Sequence, residues 1–175
     1  MNNIKTFENF NNQDIFTYIE NNDIQSVKNY IDSGYDLNIQ NNNSDTALIL
    51  ATSNNNVGIV KLLLNAGADP NKQDNDGYNS LMWAAINNYI EIVKLLLDSG
   101  ADINKQDDDG YTALINAAFY NRIEIVKLLL NASVNIDKQN INGDTALIKA
   151  ASDNNREIVE ILLDYGADEF ILNDE

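Results

Sequence analysis

The residues best suited to chemistry in this chain are carboxylates gathered in short runs. Asp74 and Asp76 precede Gly77, and Asp107, Asp108 and Asp109 precede Gly110. Oxygen donors this dense beside a glycine invite comparison with a calcium loop. Such a loop needs oxygen ligands at positions 1, 3 and 5, glycine at 6 and glutamate at 12. Setting Gly77 at position 6 puts Lys72 at position 1 and Trp83 at position 12; setting Gly110 there puts Lys105 and Asn116 in those places. Both frames fail, so no metal site is expected. The chain has no His and no Cys. That removes the commonest general base and metal ligand, together with thiolate and disulfide chemistry. Carboxylate pairs abound, but on exposed turns nothing would raise a pKa or exclude water. Glycine patterns of phosphate-binding loops are missing as well. No catalytic residue and no cofactor is assigned, and an enzyme is not expected.

Charge narrows the partners. The formal net charge is −16, from 27 acidic and 11 basic residues. A field of that sign repels phosphate backbones and anionic headgroups, so neither nucleic acid nor a membrane surface is expected. A protein partner with a basic surface is accommodated more easily, although a strongly acidic surface also serves solubility alone. No window approaches the roughly 18 continuous apolar residues of a membrane span. The segment from Met1 to Glu8 holds no apolar stretch of signal-peptide length. A cytoplasmic monomer is the expectation.

The elements that position these residues recur. Ile59-Val60-Lys61-Leu62-Leu63-Leu64 returns as Ile92-Val93-Lys94-Leu95-Leu96-Leu97 and as Ile125-Val126-Lys127-Leu128-Leu129-Leu130, with a weaker copy in Ile158-Val159-Glu160-Ile161-Leu162-Leu163. The step is 33 residues, and one step earlier it reaches Val27. Leu48, Leu81, Leu114 and Leu147 share a second site, and Ala51, Ala84, Ala117 and Ala150 a third. A fixed period of this length is the mark of a repeat array. It divides residues 1–175, read as one domain, into units of about 8–40, 41–73, 74–106, 107–139 and 140–172.

Each unit reads as two short helices and a loop. Thr46, Asn79, Thr112 and Thr145 suit the N-cap of the first helix. Asn55, Asn88, Asn121 and Asn154, with Asn22 before them, suit a left-handed residue where that helix must reverse. The second helix should begin near Glu91, Glu124 and Glu157, where acidic side chains complement the positive end of the dipole. Glu91 with Lys94, and Glu124 with Lys127, have the spacing of weak ion pairs. Gly34, Gly67, Gly100 and Gly166 should stop the helix, with Ser133 making the fourth stop slightly strained or reshaped. Neither helix is long enough to stand alone in water, so stacking must supply the stability.

These residues carry a family resemblance. Thr46-Ala47-Leu48-Ile49-Leu50-Ala51, Asn79-Ser80-Leu81-Met82-Trp83-Ala84, Thr112-Ala113-Leu114-Ile115-Asn116-Ala117 and Thr145-Ala146-Leu147-Ile148-Lys149-Ala150 resemble the T-P-L-H-x-A signature of the ankyrin repeat. Glu91 to Asp102 follows the second half of that pattern almost residue for residue. The resemblance covers nearly the whole chain and implies an all-α solenoid of five helix-turn-helix units including capping repeats. Two departures stand out: the family's Pro is Ala or Ser here, and its His is Ile or Met. Losing the His should weaken ties between loops and leave softer tips. At the ends, Asn29 replaces the Leu of later units and suits a face that meets water. Phe170-Ile171-Leu172 should fold back over the last helix pair.

Ankyrin-like arrays are overwhelmingly binding scaffolds, so the resemblance implies a protein-protein interaction module. By the same resemblance, the groove and tip positions are 42, 43, 45, 50, 53 and 54 and their 33-step equivalents. The large aromatics at those places concentrate in the middle two units. The expected partner-binding set is Asp76, Tyr78, Trp83, Ile86, Asp108, Asp109, Tyr111, Phe119 and Tyr120, with Trp and Tyr the types most enriched at interface hot spots. Two other readings stay open. One is an acidic immunity or inhibitor protein that neutralises a basic enzyme or toxin; the other is a host-directed effector.

Overall fold

The computed structural model describes residue 11 and residues 14–174, and the described residues form ten α-helices in five successive pairs. The pairs are α1 (Asp14–Glu20) with α2 (Ile24–Asp32), α3 (Ala47–Ser53) with α4 (Val57–Asn65), α5 (Ser80–Ile86) with α6 (Ile90–Asp98), α7 (Ala113–Phe119) with α8 (Ile123–Asn131), and α9 (Ala146–Ser152) with α10 (Arg156–Asp164). First helices stack in the order α1, α3, α5, α7, α9, and second helices in the order α2, α4, α6, α8, α10. The result is two layers of helices with a row of loops along one edge. Among the described residues no helix is long and apolar enough to cross a membrane.

Local chemistry sets the boundaries. The side chains of Thr46, Asn79, Thr112 and Thr145 accept from the backbone N–H three residues on, at 3.2, 3.0, 3.2 and 3.3 Å. Each therefore satisfies one of the free donors that every helix start leaves. The reversals fall on Asn22, Asn55, Asn88, Asn121 and Asn154, whose φ angles lie between 52 and 62°. Asparagine tolerates this left-handed conformation better than other non-glycine residues, which accounts for part of the asparagine excess. The stops at Gly34, Gly67, Gly100 and Gly166 have positive φ as expected. Ser133 holds the same geometry at φ 61°, so that stop is strained but not reshaped. Ser133→Gly is expected to raise the unfolding free energy by about 1 kcal/mol, read from urea denaturation. An unchanged midpoint would show that the serine carries no backbone penalty.

The apolar repeats fill the space between the layers. Val27, Val60, Val93 and Val126 are fully buried, as are Leu63, Leu96, Leu129 and Leu162, and Ala51, Ala84, Ala117 and Ala150. Ile49, Met82 and Ile115, which stand where the family pattern has His, are buried too. They extend the core beneath the tips.

Four expectations need correction. The tips are not slack, because a glutamine ladder ties them together. The amide of Gln40 donates to Ser44 O and to Gln73 O (2.9 Å), and Gln73 donates to Gly77 O and to Gln106 O (2.8 Å). Gln106 donates to Gly110 O and Gln139 O, and Gln139 to Gly143 O and Leu172 O. Each glutamine closes its own turn and grips the next, replacing the ties that histidine would have made. A second ladder runs alongside it: Asn38, Asn71, Asn104 and Asp137 accept from the N–H of Asp69, Asp102, Asn135 and Asp168.

The second correction concerns the ion pairs. Lys127 does not meet Glu124 but reaches across the junction, its Nζ 3.6 Å from Glu157 Oε1. Glu91 and Lys94 form no pair; among the described residues the other ion pair is Lys149 with Asp144. Both partners of the Lys127 pair are well exposed, so it adds well under 1 kcal/mol. The third concerns the last loop. Phe170 and Leu172 do not fold back; they are 81% and 83% exposed. Their backbone is held outward by Gln139 on Leu172 O and by Asp174 N–H on Asn142 O. Asn29, by contrast, is exposed as expected. The fourth correction concerns the carboxylates of the loop turns.

Candidate protein-binding face

The concave side is built from the turn that precedes each first helix and from that helix's exposed flank. Asp74 and Asp107 open these turns. Asp107 Oδ1 accepts from the N–H of Asp109 (3.1 Å) and of Tyr111 (2.7 Å), and Asp74 Oδ1 does the same for Asp76 and Tyr78. Neighbouring turns interlock as well, with Ile141 N–H donating to Asp109 O at 3.0 Å. This stacking corrects the view of the acidic runs as uniformly exposed tips. Asp107 is only 7% exposed, and burial pushes its carboxyl above the usual range. Asp45 is raised for the same first reason. Asp76, Asp108 and Asp109 do face water.

Tyr78 bridges two pairs. Burial, then the charge of Asp107, raise its phenol to about 12. Tyr120 and Asp109 are close enough to act on the same phenol. Trp83 packs on the Tyr78 ring, with centroids 5.5 Å apart, and its Nε1–H donates to Asp74 Oδ2 at 2.8 Å. The indole is thus half-buried but anchored at one end, a rigid platform with little entropy left to lose. Phe119 and Tyr120 meet edge to face at 4.8 Å and are 37% and 43% exposed. Tyr111 is half-buried and packs against the core.

Ile86 plays a different part: half-buried, it offers its carbonyl to Arg122 Nε at 2.8 Å. Arg122 lies 5.9 Å from the Tyr120 ring centre, and Lys149 Nζ sits 4.9 Å from that of Phe119 and 4.0 Å from Asp144 Oδ2. The fold therefore brings Tyr78, Asp107, Asp109 and Tyr120 together around one junction, with Trp83 and Phe119 flanking it. Asp76 and Asp108 stand on the rim. Sequence reasoning left Asp74, Asp107 and Arg122 out of the partner-binding set, and Lys149 too, although it stands at a groove position. The first two could have been found: Asn41, Asp74, Asp107 and Asn140 share one 33-step register and one turn-opening role.

No metal or acid–base pair emerges from this arrangement. Among the described residues no three carboxylates are grouped to hold an ion. The carboxylates accept hydrogen bonds from their own turns, and the Phe119 and Tyr120 rings are partly exposed, with Lys149 and Arg122 against them.

A stacked array of short helix pairs with a polar–aromatic concave face defines the class: a repeat solenoid of the kind that binds macromolecules. The chain belongs to the ankyrin-repeat family; the family description "Ankyrin repeats (3 copies)" matches residues 15–107 and 99–172. Ankyrin repeats are generally protein–protein interaction modules, and the family is typically non-enzymatic. No curated protein matches the chain.

Proposed function

We propose that this chain is a non-enzymatic, protein-binding module, a cytoplasmic monomer whose five helix pairs act as one domain. Its contact surface is the concave junction between the third and fourth pairs. The partner presents basic side chains to it. The observation that carries this reading is the cluster of Tyr78, Tyr120, Asp107 and Asp109, whose buried Asp107 carboxylate has no ion-pair partner among the described residues. The ion pairs among the described residues are made elsewhere, by Lys127 and Lys149. Asp107 is buried without a counter-ion, and a partner's lysine or arginine would supply one while resting against the aromatic faces.

An intrachain contact of the same chemistry supports the reading: Lys149 sits between Phe119 and Asp144. The charge of −16 would steer such a partner in from a distance.

The test uses rings that do not hold the fold. Phe119→Ala with Tyr120→Ala should weaken a basic partner recovered from the native source by about thirtyfold or more, as hot-spot losses do. The unfolding midpoint should stay nearly unchanged, because both rings are more than a third exposed. Tyr111 is a poorer choice, since it packs on the core. Partner affinity equal to wild type, measured by calorimetry, would remove the face from contention.

A further inference from the structure

Every junction between successive pairs is tied along the row of loops. The opposite edge, where each first helix turns into its second, is tied less evenly. There a side chain at the start of the following second helix donates to a carbonyl at the end of the preceding first helix. Asn56 reaches Ile19 O at 3.0 Å, Arg122 reaches Ile86 O at 2.8 Å, and Asn155 reaches Ala118 O at 2.9 Å. These bonds close the first, third and fourth junctions. The second junction, between the second and third pairs, departs from the pattern. Tyr89 holds the register of Asn56, Arg122 and Asn155. It packs against the core, and among the described residues no hydrogen bond joins it to the carbonyls of Thr52 and Ser53.

The same junction encloses a second defect. Ile19, Thr52, Ala85 and Ala118 share one register. That register lies against the following pair, since Asn56 and Asn155 of following pairs bond to its carbonyls. Ala85 and Ala118 are fully buried there and bring no polar atom. Thr52 is equally buried, and its hydroxyl has no hydrogen-bond partner. A buried hydroxyl left unpaired costs free energy that water would restore once the junction opened. The amide nitrogens of Asn79 and Asn116 are unpaired as well, but Arg122 closes the junction between their pairs.

Along the loops the second junction stays bonded. Gln40 donates to Gln73 O at 2.9 Å, Asp102 N–H donates to Asn71 Oδ1 at 2.7 Å, and the Ser44 hydroxyl donates to Asn75 Oδ1. A joint fixed along one edge and untied along the other can turn about the fixed edge.

We propose that the second junction is a hinge. The first two pairs swing about the row of loops and part from the third pair at the Tyr89 edge. The third to fifth pairs move as one block. The candidate face lies within that block, so the motion repositions the first two pairs beside the face and leaves the face intact. The opening is a local excursion, lower in free energy than global unfolding.

The chain has no cysteine, so one introduced thiol reports on one junction. Thr52→Cys in the full chain places it at the second junction, and Ala118→Cys places it in the same register at the fourth. With a water-soluble thiol reagent under native conditions, Thr52→Cys should react about tenfold faster or more. Adding Tyr89→Asn supplies the amide that the register carries elsewhere. It should slow the reaction of Thr52→Cys roughly fivefold, the worth of one hydrogen bond. Adding Asn155→Tyr to Ala118→Cys should speed that reaction, because it unties the fourth junction in the same way. Urea unfolding of each variant gives the rate that global unfolding alone would allow. Labelling of Thr52→Cys no faster than that rate, or unchanged by Tyr89→Asn, would overturn the proposal.

Discussion

Gly110→Ala is expected to destabilise the chain by about 3 kcal/mol, several times the cost of the same change at Gly67. Both glycines have positive φ, 79° and 89°, so both substitutions incur the left-handed penalty of about 1 kcal/mol. The difference lies in what a methyl group would meet. At Gly67 nothing lies within 4 Å. At Gly110 a Cβ would stand 2.9 Å from Asn140 Cα and 2.9 Å from Ile141 N, both backbone atoms of the next turn. That turn cannot withdraw cheaply, because Ile141 N–H is bonded to Asp109 O and Gln139 is bonded to Gly143 O. Relief requires the fourth and fifth turns to separate, which would loosen the glutamine ladder and the wall of the candidate face together. Urea denaturation of the two variants decides the matter. Losses equal within about 0.5 kcal/mol would mean that the turns part freely and that the ladder does not bind them.

That interlock explains which features could be read from sequence. The period of 33, the caps at Thr46, Asn79, Thr112 and Thr145, and the left-handed Asn residues are local. Each depends on a few neighbours in the chain, and each falls where expected. The ladders are not local. Gln73 bonds to Gln106, 33 residues away, and Asn71 to Asp102. The signal was present, since Gln40, Gln73, Gln106 and Gln139 keep one register. Yet a polar residue repeated in a loop can serve solvent, its own turn or the next turn, and only three-dimensional stacking chooses between them. Losing the signature His therefore looked like losing the ties, when another side chain had taken the task.

The candidate face shows the same limit. Aromatics concentrated in the middle units were visible, and Tyr78, Trp83, Phe119 and Tyr120 do gather there. Asp107 differs from Asp108 and Asp109 in its 33-step register alone, not in type or in its neighbours along the chain. Burial separates them: the turn of one pair rests on the next and covers the residue that opens it. The raised carboxyl follows from that cover, so the electrostatics of the face emerge only when the pairs stack. Phe170 and Leu172 fail in the opposite sense. Apolar type suggested burial, but their backbone is committed to the ladder, and no described element packs over the side chains.

Leu96→Ala should cost about 4 kcal/mol, near the upper end for a buried leucine that leaves a cavity. Leu96 is fully buried in α6, in the middle of the array, within reach of helices on both sides. Short helices of this kind hold only through their neighbours, so stability is a sum of pair and junction terms. A cavity at the centre weakens two junctions at once. Leu162 occupies the same register and is equally buried, but its helix α10 packs chiefly on α9 and α8. Leu162→Ala should therefore cost less and should act locally: the last pair frays first, and the denaturant slope falls as less surface unfolds in the main transition. Leu96→Ala should move the whole transition to lower urea, because no part of the array can unfold the defect and keep both flanks. Circular dichroism with urea, together with hydrogen exchange at α10, distinguishes the cases. Equal midpoints and slopes for the two variants would mean that the array melts as one rigid block, and the nearest-neighbour account of its stability would fall.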